Sequence, residues 1–261
     1  MKIKETATII SHRRLCEGIY SMWIKASMAK EAGPGQFISV YSNSDARLLP
    51  RPISICEIGD DKGSLRIVYR VVGAGTEEFS QMKEGDTLDI LGPNGNGFFA
   101  ACTGEITPKT TALLMGGGIG IPPMLELAKE LECEVVIAAG YRTAGEMFLT
   151  TELEKYGKLL VSTDDGSFGT RGTVIDAVNA SATKADVIFA CGPKPMLRGI
   201  KVFAEDRGIS AYVSMEERMA CGVGACLGCV CQSAEVDDHS KVNNKRVCVD
   251  GPVFAVSEVE L

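Results

Sequence analysis

The chain has 261 residues, of which 45% are apolar and 23% charged, so it can form two compact domains and a small appendage. Its formal net charge of -7 argues against a nucleic-acid-binding protein, and the sequence carries no Lys/Arg stripe that would argue for one. The N-terminus has no apolar core of signal-peptide length, and glycines and prolines interrupt the most hydrophobic stretch; we therefore expect a cytoplasmic protein without a membrane span.

Residues 1–100 have the pattern of β-structure. Short runs such as QFISVYS, RPISICEI and LRIVYRVV concentrate β-branched residues between Gly, Asp and Pro. Several strands at this spacing predict a small antiparallel β-barrel. One helix, TEEFSQMKE, interrupts the strands, and we expect Thr76 to be its N-cap.

Three motifs of this barrel region carry groups that suit a phosphorylated cofactor. Arg51 can pair with a pyrophosphate, and Ser54 can reach a heteroatom of a ring. The N-terminus of the predicted helix favours phosphate through its free N–H groups and its dipole. Each motif alone can be an ordinary strand or turn, but their order and spacing favour binding. The candidate residues are Arg51, Pro52, Ile53, Ser54, Val68, Tyr69, Arg70, Gly75 and Thr76.

Residues 101–205 alternate between predicted strands and predicted helices, which indicates a parallel sheet covered by helices on both faces. The run MGGGIGIPP follows a predicted strand and opens a helix, so a dinucleotide could approach its backbone closely. The strict G-x-G-x-x-G fingerprint is absent, and a tight strand–helix turn explains the glycines equally well. The candidate residues are Gly116, Gly117, Gly118 and Gly120.

Ten cysteines are present, and the cytoplasm keeps thiols reduced, so disulfides are not expected. Four scattered ones suit small buried hydrophobic positions: Cys16, Cys56, Cys102 and Cys133. Five others crowd residues 206–261, a segment too short and too rich in Gly and Cys to form its own core, and such segments are usually held by a metal. Only two histidines, His12 and His239, are available for a His-based site.

The spacing Cys221-x4-Cys226-x2-Cys229, followed later by Cys248, matches the plant-type ferredoxin pattern for a [2Fe–2S] cluster. Gly222, Gly224 and Gly228 are expected to let the loop wrap around the cluster and bring N–H groups to its sulfurs. A zinc ribbon is the structural alternative, although ribbons favour two C-x2-C pairs.

The fourth cluster ligand is open between two thiols. In extended chain Cys231 lies ~6.5 Å beyond Cys229 on the same face, which is a poor reach for a compact cluster. Cys248 returns from a separate segment, as plant-type sites require. The spacing therefore favours Cys248 and leaves Cys231 as the spare thiol.

R-P-I-S, V-Y-R and G-x-G-T in this order resemble the flavin domain of the ferredoxin–NADP reductase superfamily. The resemblance implies a barrel that holds FAD, with Arg51 on the pyrophosphate, Ser54 near the isoalloxazine N5, and Tyr69 near the ribityl chain or the ring. C-G-P at the end of a strand resembles the nicotinamide pocket of this superfamily, which adds Cys191, Gly192 and Pro193 to the candidate residues.

The tail ERMACGVGACLGC and CVDGPVF resembles the electron-transfer subunits of the NAD-linked, type B dihydroorotate dehydrogenases. This resemblance implies cluster ligands Cys221, Cys226, Cys229 and Cys248, and a chain that passes electrons from a partner through the cluster and FAD to NAD⁺. The implied partner is an FMN-containing dihydroorotate dehydrogenase catalytic subunit, in a heterotetramer with two copies of each chain. The implied domains are 1–100 for FAD, 101–205 for NAD and 206–261 for the cluster.

Two alternatives remain at the sequence level. A relay subunit of an NAD(P)H:ferredoxin transhydrogenase or a soluble hydrogenase would share all three cofactor sites. A zinc-stapled interaction module with a vestigial barrel would be colourless. NADP in place of NAD also remains open, because Arg142 follows the second predicted strand of the dinucleotide domain and could contact a 2′-phosphate.

Overall fold

A computed structural model describes residues 2–44, 46–236 and 241–261, so His239 lies outside the described residues. Within these ranges no helix has the length and apolar character needed to cross a membrane.

The N-terminal part forms a closed barrel in which every neighbouring pair of strands is antiparallel. Alternate side chains fill its interior, among them Ile24, Ile38, Leu65 and Ile90. The predicted barrel is therefore confirmed. Its strands, in the order β1-β2-β5-β4-β3-β6, are β1 (Ile3–Cys16), β2 (Ile19–Lys25), β3 (Phe37–Val40), β4 (Arg51–Ile58), β5 (Ser64–Arg70) and β6 (Thr87–Asn94).

The first helix, α1 (Ala74–Gln81), begins earlier than the sequence predicts, with Gly73 as its N-cap. The predicted N-cap role of Thr76 is wrong, because Thr76 lies in the first turn and its hydroxyl folds back towards the helix start. The hydroxyl accepts the N–H of Val72 at 2.9 Å and that of Gly73 at 3.2 Å. A threonine can bond to the start of a helix either from the position before it or from within its first turn. The residue type alone therefore does not show where the helix begins.

The second part is a sheet of order β10-β9-β8-β7-β11-β12-β15, parallel except for its last strand, and it confirms the predicted α/β unit. Helices and strands in chain order are α2 (Phe98–Ala101), β7 (Thr111–Gly117), α3 (Pro122–Glu130), β8 (Glu134–Tyr141), α4 (Thr150–Leu153), β9 (Lys158–Thr163), β10 (Thr170–Arg171), α5 (Val174–Ala180), β11 (Val187–Cys191), α6 (Lys194–Glu205), β12 (Ser210–Ser214), β13 (Val230–Gln232), β14 (Asn244–Arg246) and β15 (Val253–Ala255).

The C-terminal segment contributes to this sheet as well as carrying the cysteine loop. Strands β12 and β15 both come from residues 206–261 and pair with each other. Side chains of the segment, including Val247, Phe254 and Val259, share one core cluster with sheet and helix residues such as Ile188 and Leu197. The segment is thus stabilised by the larger sheet, which supplies the core that the segment is too small to form.

One apolar cluster spans the barrel and the sheet. Ile19, Cys56, Val68 and Phe98 from the barrel side pack with residues of the α/β unit such as Leu127. Because this contact is buried and continuous, the barrel and the sheet hold a defined relative position.

Candidate functional site

The glycine loop and the C-G-P turn meet at the carboxyl ends of two neighbouring parallel strands. The chain proceeds from β7 towards β10 on one side, and then returns to add β11 on the other side of β7. Open α/β sheets bind ligands at such a switch point, outside the carboxyl ends of the strands. The register places Cys191 of β11 beside Gly116 of β7.

The two loops are in backbone contact, which explains the need for glycine. A Cβ on Gly120 would overlap the carbonyl group of Cys191, and one on Gly117 would press on Met196 next to Pro193. Met196 also packs against Gly192. The four glycine candidates and the C-G-P turn therefore lie together at one edge of the sheet.

Arg51 and Gly75 come together on the barrel side of the molecule. The guanidinium of Arg51 lies directly over the Cα of Gly75, so that any side chain at residue 75 would overlap it. Gly75 is in the first turn of α1, where N–H groups have no partner within the helix. A fixed cation beside free N–H groups and a helix dipole suits a pyrophosphate, and the residues therefore fit this part of FAD.

The V-Y-R run has its side chains on opposite faces of β5. Val68 packs in the cluster shared with the α/β unit, and a Cβ built on Gly118 would lie 3.5 Å from Nη2 of Arg70. Arg70 thus approaches the glycine loop, while Val68 packs at the contact between the barrel and the α/β unit. Tyr69 instead points into the barrel core, where its hydroxyl lies 2.9 Å from Nε2 of His12. The structure thus brings Arg70 close to the glycine loop, whereas the Tyr69 ring lies in the barrel core on the other face of β5.

Ser54 lies one strand from the nearest contact of the cysteine loop. The register pairs Ser54 of β4 with Phe37 of β3, and Ser39 of β3 with Pro52, so these adjacent strands are about 5 Å apart. A Cβ built on Gly222 would lie 2.7 Å from Oγ of Ser39 and 4.0 Å from Nδ2 of Asn94. Only strand β3 of the barrel therefore lies between the predicted flavin site and the cysteine loop.

Four of the five C-terminal thiols lie in two pairs. The N–H of Cys226 donates to Sγ of Cys221 at 3.4 Å, and the N–H of Cys248 donates to Sγ of Cys229 at 3.4 Å. Arg246 joins the two segments, because it donates to the carbonyl of Gly224 at 3.4 Å and pairs with Asp250 at 3.1 Å.

Backbone N–H groups surround Sγ of Cys221, as the glycine-rich loop was expected to allow. Val223, Ala225 and Cys226 donate to this sulfur over 3.3–3.4 Å. Burial raises the pKa of the Cys221 thiol, but these hydrogen bonds outweigh it and bring the pKa to about 6. Positive φ angles occur at Gly222 and Gly224, and next at Leu227 instead of the expected Gly228.

Cys231 is buried in β13 and shares one core cluster with Cys229 and Cys248. Burial raises the pKa of its thiol, and the charged side chains near it are Glu217 and Lys194. Among the described residues, no hydrogen bond joins this thiol to the other four, so Cys231 belongs to neither thiol pair.

The arrangement of the four thiols fits a polynuclear cluster. In the described ranges, no three His, Cys, Asp or Glu side chains are arranged to hold a single metal ion. A two-iron cluster takes two thiolates on each iron, so its four ligands do not need to converge on one point. Two thiol pairs with N–H donors to their sulfurs match that requirement.

Sequence reasoning missed the residues that dock the cysteine loop on the barrel. Lys2 donates to the carbonyl of Gly222 at 3.3 Å, and Ser39 and Asn94 lie under the same residue. These contacts join parts of the chain about 130–220 residues apart, and no local pattern signals them. Gly222 itself was the detectable signal, since only glycine fits there.

Two family models match the chain. One, described as the iron–sulfur cluster binding domain of dihydroorotate dehydrogenase B, matches residues 216–260. The other, described as an oxidoreductase FAD-binding domain, matches residues 7–99.

Curated relatives are similar over almost their entire length. The chain is 41% identical to the electron transfer subunit of dihydroorotate dehydrogenase B (NAD(+)) from Geobacillus sp. (strain WCH70), over 100% of both chains. Identity to the subunit of the same name from Bacillus caldolyticus is 43%, over 99% of both chains. The subunit of that name from Streptococcus pneumoniae is 39% identical, over 98% of both chains.

Solved structures show the same fold. A chain of the NADH-dependent reduced ferredoxin-NADP oxidoreductase is 31% identical with a TM-score of 0.84, covering 97% of this chain and 89% of that one. A ferredoxin reductase of carbazole 1,9a-dioxygenase is 19% identical with a TM-score of 0.67, covering 80% of this chain and 67% of that one, and this likeness concerns the fold alone.

Proposed function

The chain belongs to the family of the electron transfer subunits of dihydroorotate dehydrogenase B, and we infer that it serves an NAD-dependent enzyme of this kind together with a catalytic partner subunit. The observation that carries the inference is one chain that combines a flavin-type barrel, a dinucleotide-type sheet edge and two thiol pairs linked through Arg246. Its place is then in de novo pyrimidine (UMP) biosynthesis.

FAD is the cofactor proposed for the barrel, since it exchanges electrons singly or in pairs and can join a one-electron cluster to a two-electron carrier. Arg51 and the N–H groups of the first turn of α1 would bind its pyrophosphate. Ser54 and Arg70 would orient the ring at the cleft, while Tyr69 supports β5 from the core side through His12. Pro52, Ile53, Val68 and Thr76 are the remaining barrel residues that we propose for the FAD site.

A [2Fe–2S] cluster is proposed for Cys221, Cys226, Cys229 and Cys248. The N–H groups on the sulfur of Cys221 would stabilise negative charge on a bound cluster and so favour its reduced form. Cys226 is exposed, and so are the neighbouring Val223 and Leu227. This edge is therefore where we place the contact with the partner.

NAD is proposed for the sheet edge formed by the glycine loop and Cys191, Gly192 and Pro193. Arg142, the residue that could favour NADP, is held by a carboxylate. Its Nε donates to Oε2 of Glu146 at 2.9 Å, and its Nη2 lies 2.7 Å from Oε1. This pairing leaves the guanidinium less available for a 2′-phosphate, which supports NAD.

The finer assembly is a proposal as well. The partner would be an FMN-containing dihydroorotate dehydrogenase catalytic subunit, two copies of each chain would form a heterotetramer, and the complex would be cytoplasmic. A transhydrogenase-type relay is the second candidate, since a chain of that class has the same fold at 31% identity. Identities of 41–43% over whole chains favour the dihydroorotate dehydrogenase family over this candidate.

Anaerobic titration of the purified chain with NADH tests the relay function. We expect NADH to bleach bound flavin near 450 nm and cluster absorbance beyond 500 nm, on the order of the wavelengths typical of these groups. NADPH serves as the matched control and should reduce the chain much more slowly. A colourless chain that carries one zinc would contradict the proposal.

A further inference from the structure

Helix α3 covers an unpaired stretch of the strand that carries the flavin motif. Strand β3 pairs with residues 51–54 of β4, and the N–H of Ile55 donates to the carbonyl of Gln36 at 3.0 Å. Beyond that point β4 has lost its β3 neighbour. Ile58 therefore directs its N–H and its carbonyl away from β5, and both groups need partners from elsewhere.

Two side chains of α3 supply these partners. Glu126 accepts the N–H of Ile58 through Oε2 at 2.7 Å, and Nζ of Lys129 donates to the carbonyl of Ile58 at 3.0 Å. Lys129 also pairs with Asp60 at 2.7 Å. Glu126 is only 2% exposed, so the contact is a built, buried one. We call Glu126, Lys129 and Ile58 the α3–β4 clamp.

The clamp ties together two elements whose other ends bear candidate cofactor residues. Strand β4 begins with Arg51 and leads through Ser54 to Ile58. Helix α3 begins two residues after Gly120, at the end of the glycine loop. A shift of β4 relative to α3 would therefore move the flavin site relative to the dinucleotide site.

We propose that Glu126 and Lys129 are positioning residues for hydride exchange, because they hold the flavin strand and the dinucleotide helix at a defined separation. The inference rests on the proposed function, which requires both cofactors to react with each other across this interface. Reactions of this type depend on the approach of two atoms within about 3–3.5 Å, and an error of ~1 Å can cost two orders of magnitude in rate.

Other contacts keep the interface folded without the clamp. Nη2 of Arg66 on β5 lies 3.5 Å from Oε1 of Glu152 on α4, and the apolar cluster around Cys56 and Val68 spans both units. Loss of Glu126 should therefore loosen the interface locally and leave the chain folded.

Three variants separate positioning from general stability. Glu126→Leu removes the acceptor of the Ile58 N–H, whereas Glu126→Gln keeps an oxygen that accepts it. Lys129→Met removes the half-buried ammonium that donates to the Ile58 carbonyl. Glu132→Gln, at an exposed residue just beyond α3, is the matched control. Hydrogen exchange of the Ile58 amide is expected to accelerate at least tenfold in Glu126→Leu and to remain slow in Glu126→Gln, on the order of one lost hydrogen bond.

Rapid mixing of each variant with NADH then measures the role in the reaction. We expect Glu126→Leu and Lys129→Met to slow flavin reduction by about tenfold or more at saturating NADH. The KM for NADH and the rate of electron exchange between flavin and cluster should change less than about twofold, because neither depends on the separation that the α3–β4 clamp holds. Glu126→Gln should recover most of the rate.

The pH dependence of unfolding gives a readout without cofactor turnover. Burial raises the pKa of the Glu126 carboxyl from 4.5 to about 7, the Ile58 N–H and Lys129 oppose the shift, and Glu130 adds to it. Such a carboxyl adds stability at low pH that is lost as the pH rises from 4.5 to about 7. Glu126→Gln should therefore gain stability relative to the parent chain across this window. The charged or titratable groups around the clamp are Lys129, Glu130, Cys56, Glu57, Asp60, Arg66 and Glu152.

Equal flavin reduction in Glu126→Leu, Lys129→Met and the parent chain would overturn the inference. So would a parallel loss of flavin–cluster exchange, which would indicate a general structural defect. If the parent chain itself fails to accept electrons from NADH, the proposed function is wrong. In that case, unchanged Ile58 exchange in Glu126→Leu or an absent pH effect in Glu126→Gln would separately contradict the clamp.

Discussion

At the scale of single residues, the two thiols that compete for the fourth ligand position have different neighbours. Both are buried in the same core cluster, but the N–H of Cys248 donates to Sγ of Cys229 at 3.4 Å, whereas Cys231 lies near Glu217 and Lys194. The difference arises from the pairing of β13 with β14, which brings residue 247 to the carbonyl of Cys229.

Serine substitution at these two positions tests the fourth ligand. Cys248→Ser is expected to lose most or all of the cluster, because a serine hydroxyl is a much poorer ligand for cluster iron than the soft thiolate of cysteine, while Cys231→Ser keeps it. Iron content and absorbance beyond about 500 nm measure the outcome. Loss of iron in Cys231→Ser together with full iron in Cys248→Ser would assign the ligand to Cys231.

Sequence reasoning at this scale is strongest where the pattern is local. The spacing of Cys221, Cys226 and Cys229 lies within one loop, in which Cys226 contacts Cys221, and Cys248 contacts Cys229 from a separate segment; the assignment of the four as ligands stays a prediction. The direction of the Tyr69 side chain was not predictable, because V-Y-R does not reveal which face of β5 is the cleft. Glu126 was also missed, since an acidic residue in a helix ordinarily faces solvent.

At the scale of elements, helix α1 positions the cation that would bind pyrophosphate. Its first turn brings Gly75 against Arg51, and the hydroxyl of Thr76 secures the start of the helix. The helix was predicted from TEEFSQMKE, yet its true start at Ala74 was not, because the capping hydroxyl lies within the helix.

Alanine substitutions in the first turn of α1 test this arrangement. Gly75→Ala is expected to displace the Arg51 guanidinium and to weaken FAD binding by at least about tenfold, or ~1.4 kcal/mol. Gly73→Ala is the control, because its added methyl group meets no atom within 4 Å. Flavin content and FAD titration of the stripped protein measure the effect. Equal affinities of the two variants would contradict the role of this contact.

At the scale of the whole molecule, the barrel and the α/β sheet were predictable because each has a regular alternation of its own. The way in which the barrel and the sheet join was not predictable from the sequence. Strands β12 and β15 enter the sheet from the segment predicted only to bind the cluster, and Gly222 docks on the barrel through Ser39. These contacts link distant parts of the chain and depend on the completed fold.

The joined structure orders the three proposed cofactor sites across the molecule. The cysteine loop lies against β3 of the barrel, Ser54 is on the neighbouring strand β4, and the Arg70 guanidinium reaches the glycine loop at Gly118. Electrons would therefore cross the chain from its exposed cysteine edge to the carboxyl edge of the sheet.

The most direct test of this account is the reduction of NAD⁺ by dihydroorotate in a reconstituted complex. The chain is co-purified with an FMN-containing dihydroorotate dehydrogenase subunit, and NADH formation is followed by its absorbance under anaerobic conditions. We predict NADH formation that requires both subunits and is lost with Cys248→Ser, while dihydroorotate still reduces the partner's FMN. NADH formation that persists at the full rate without the cluster would contradict the account.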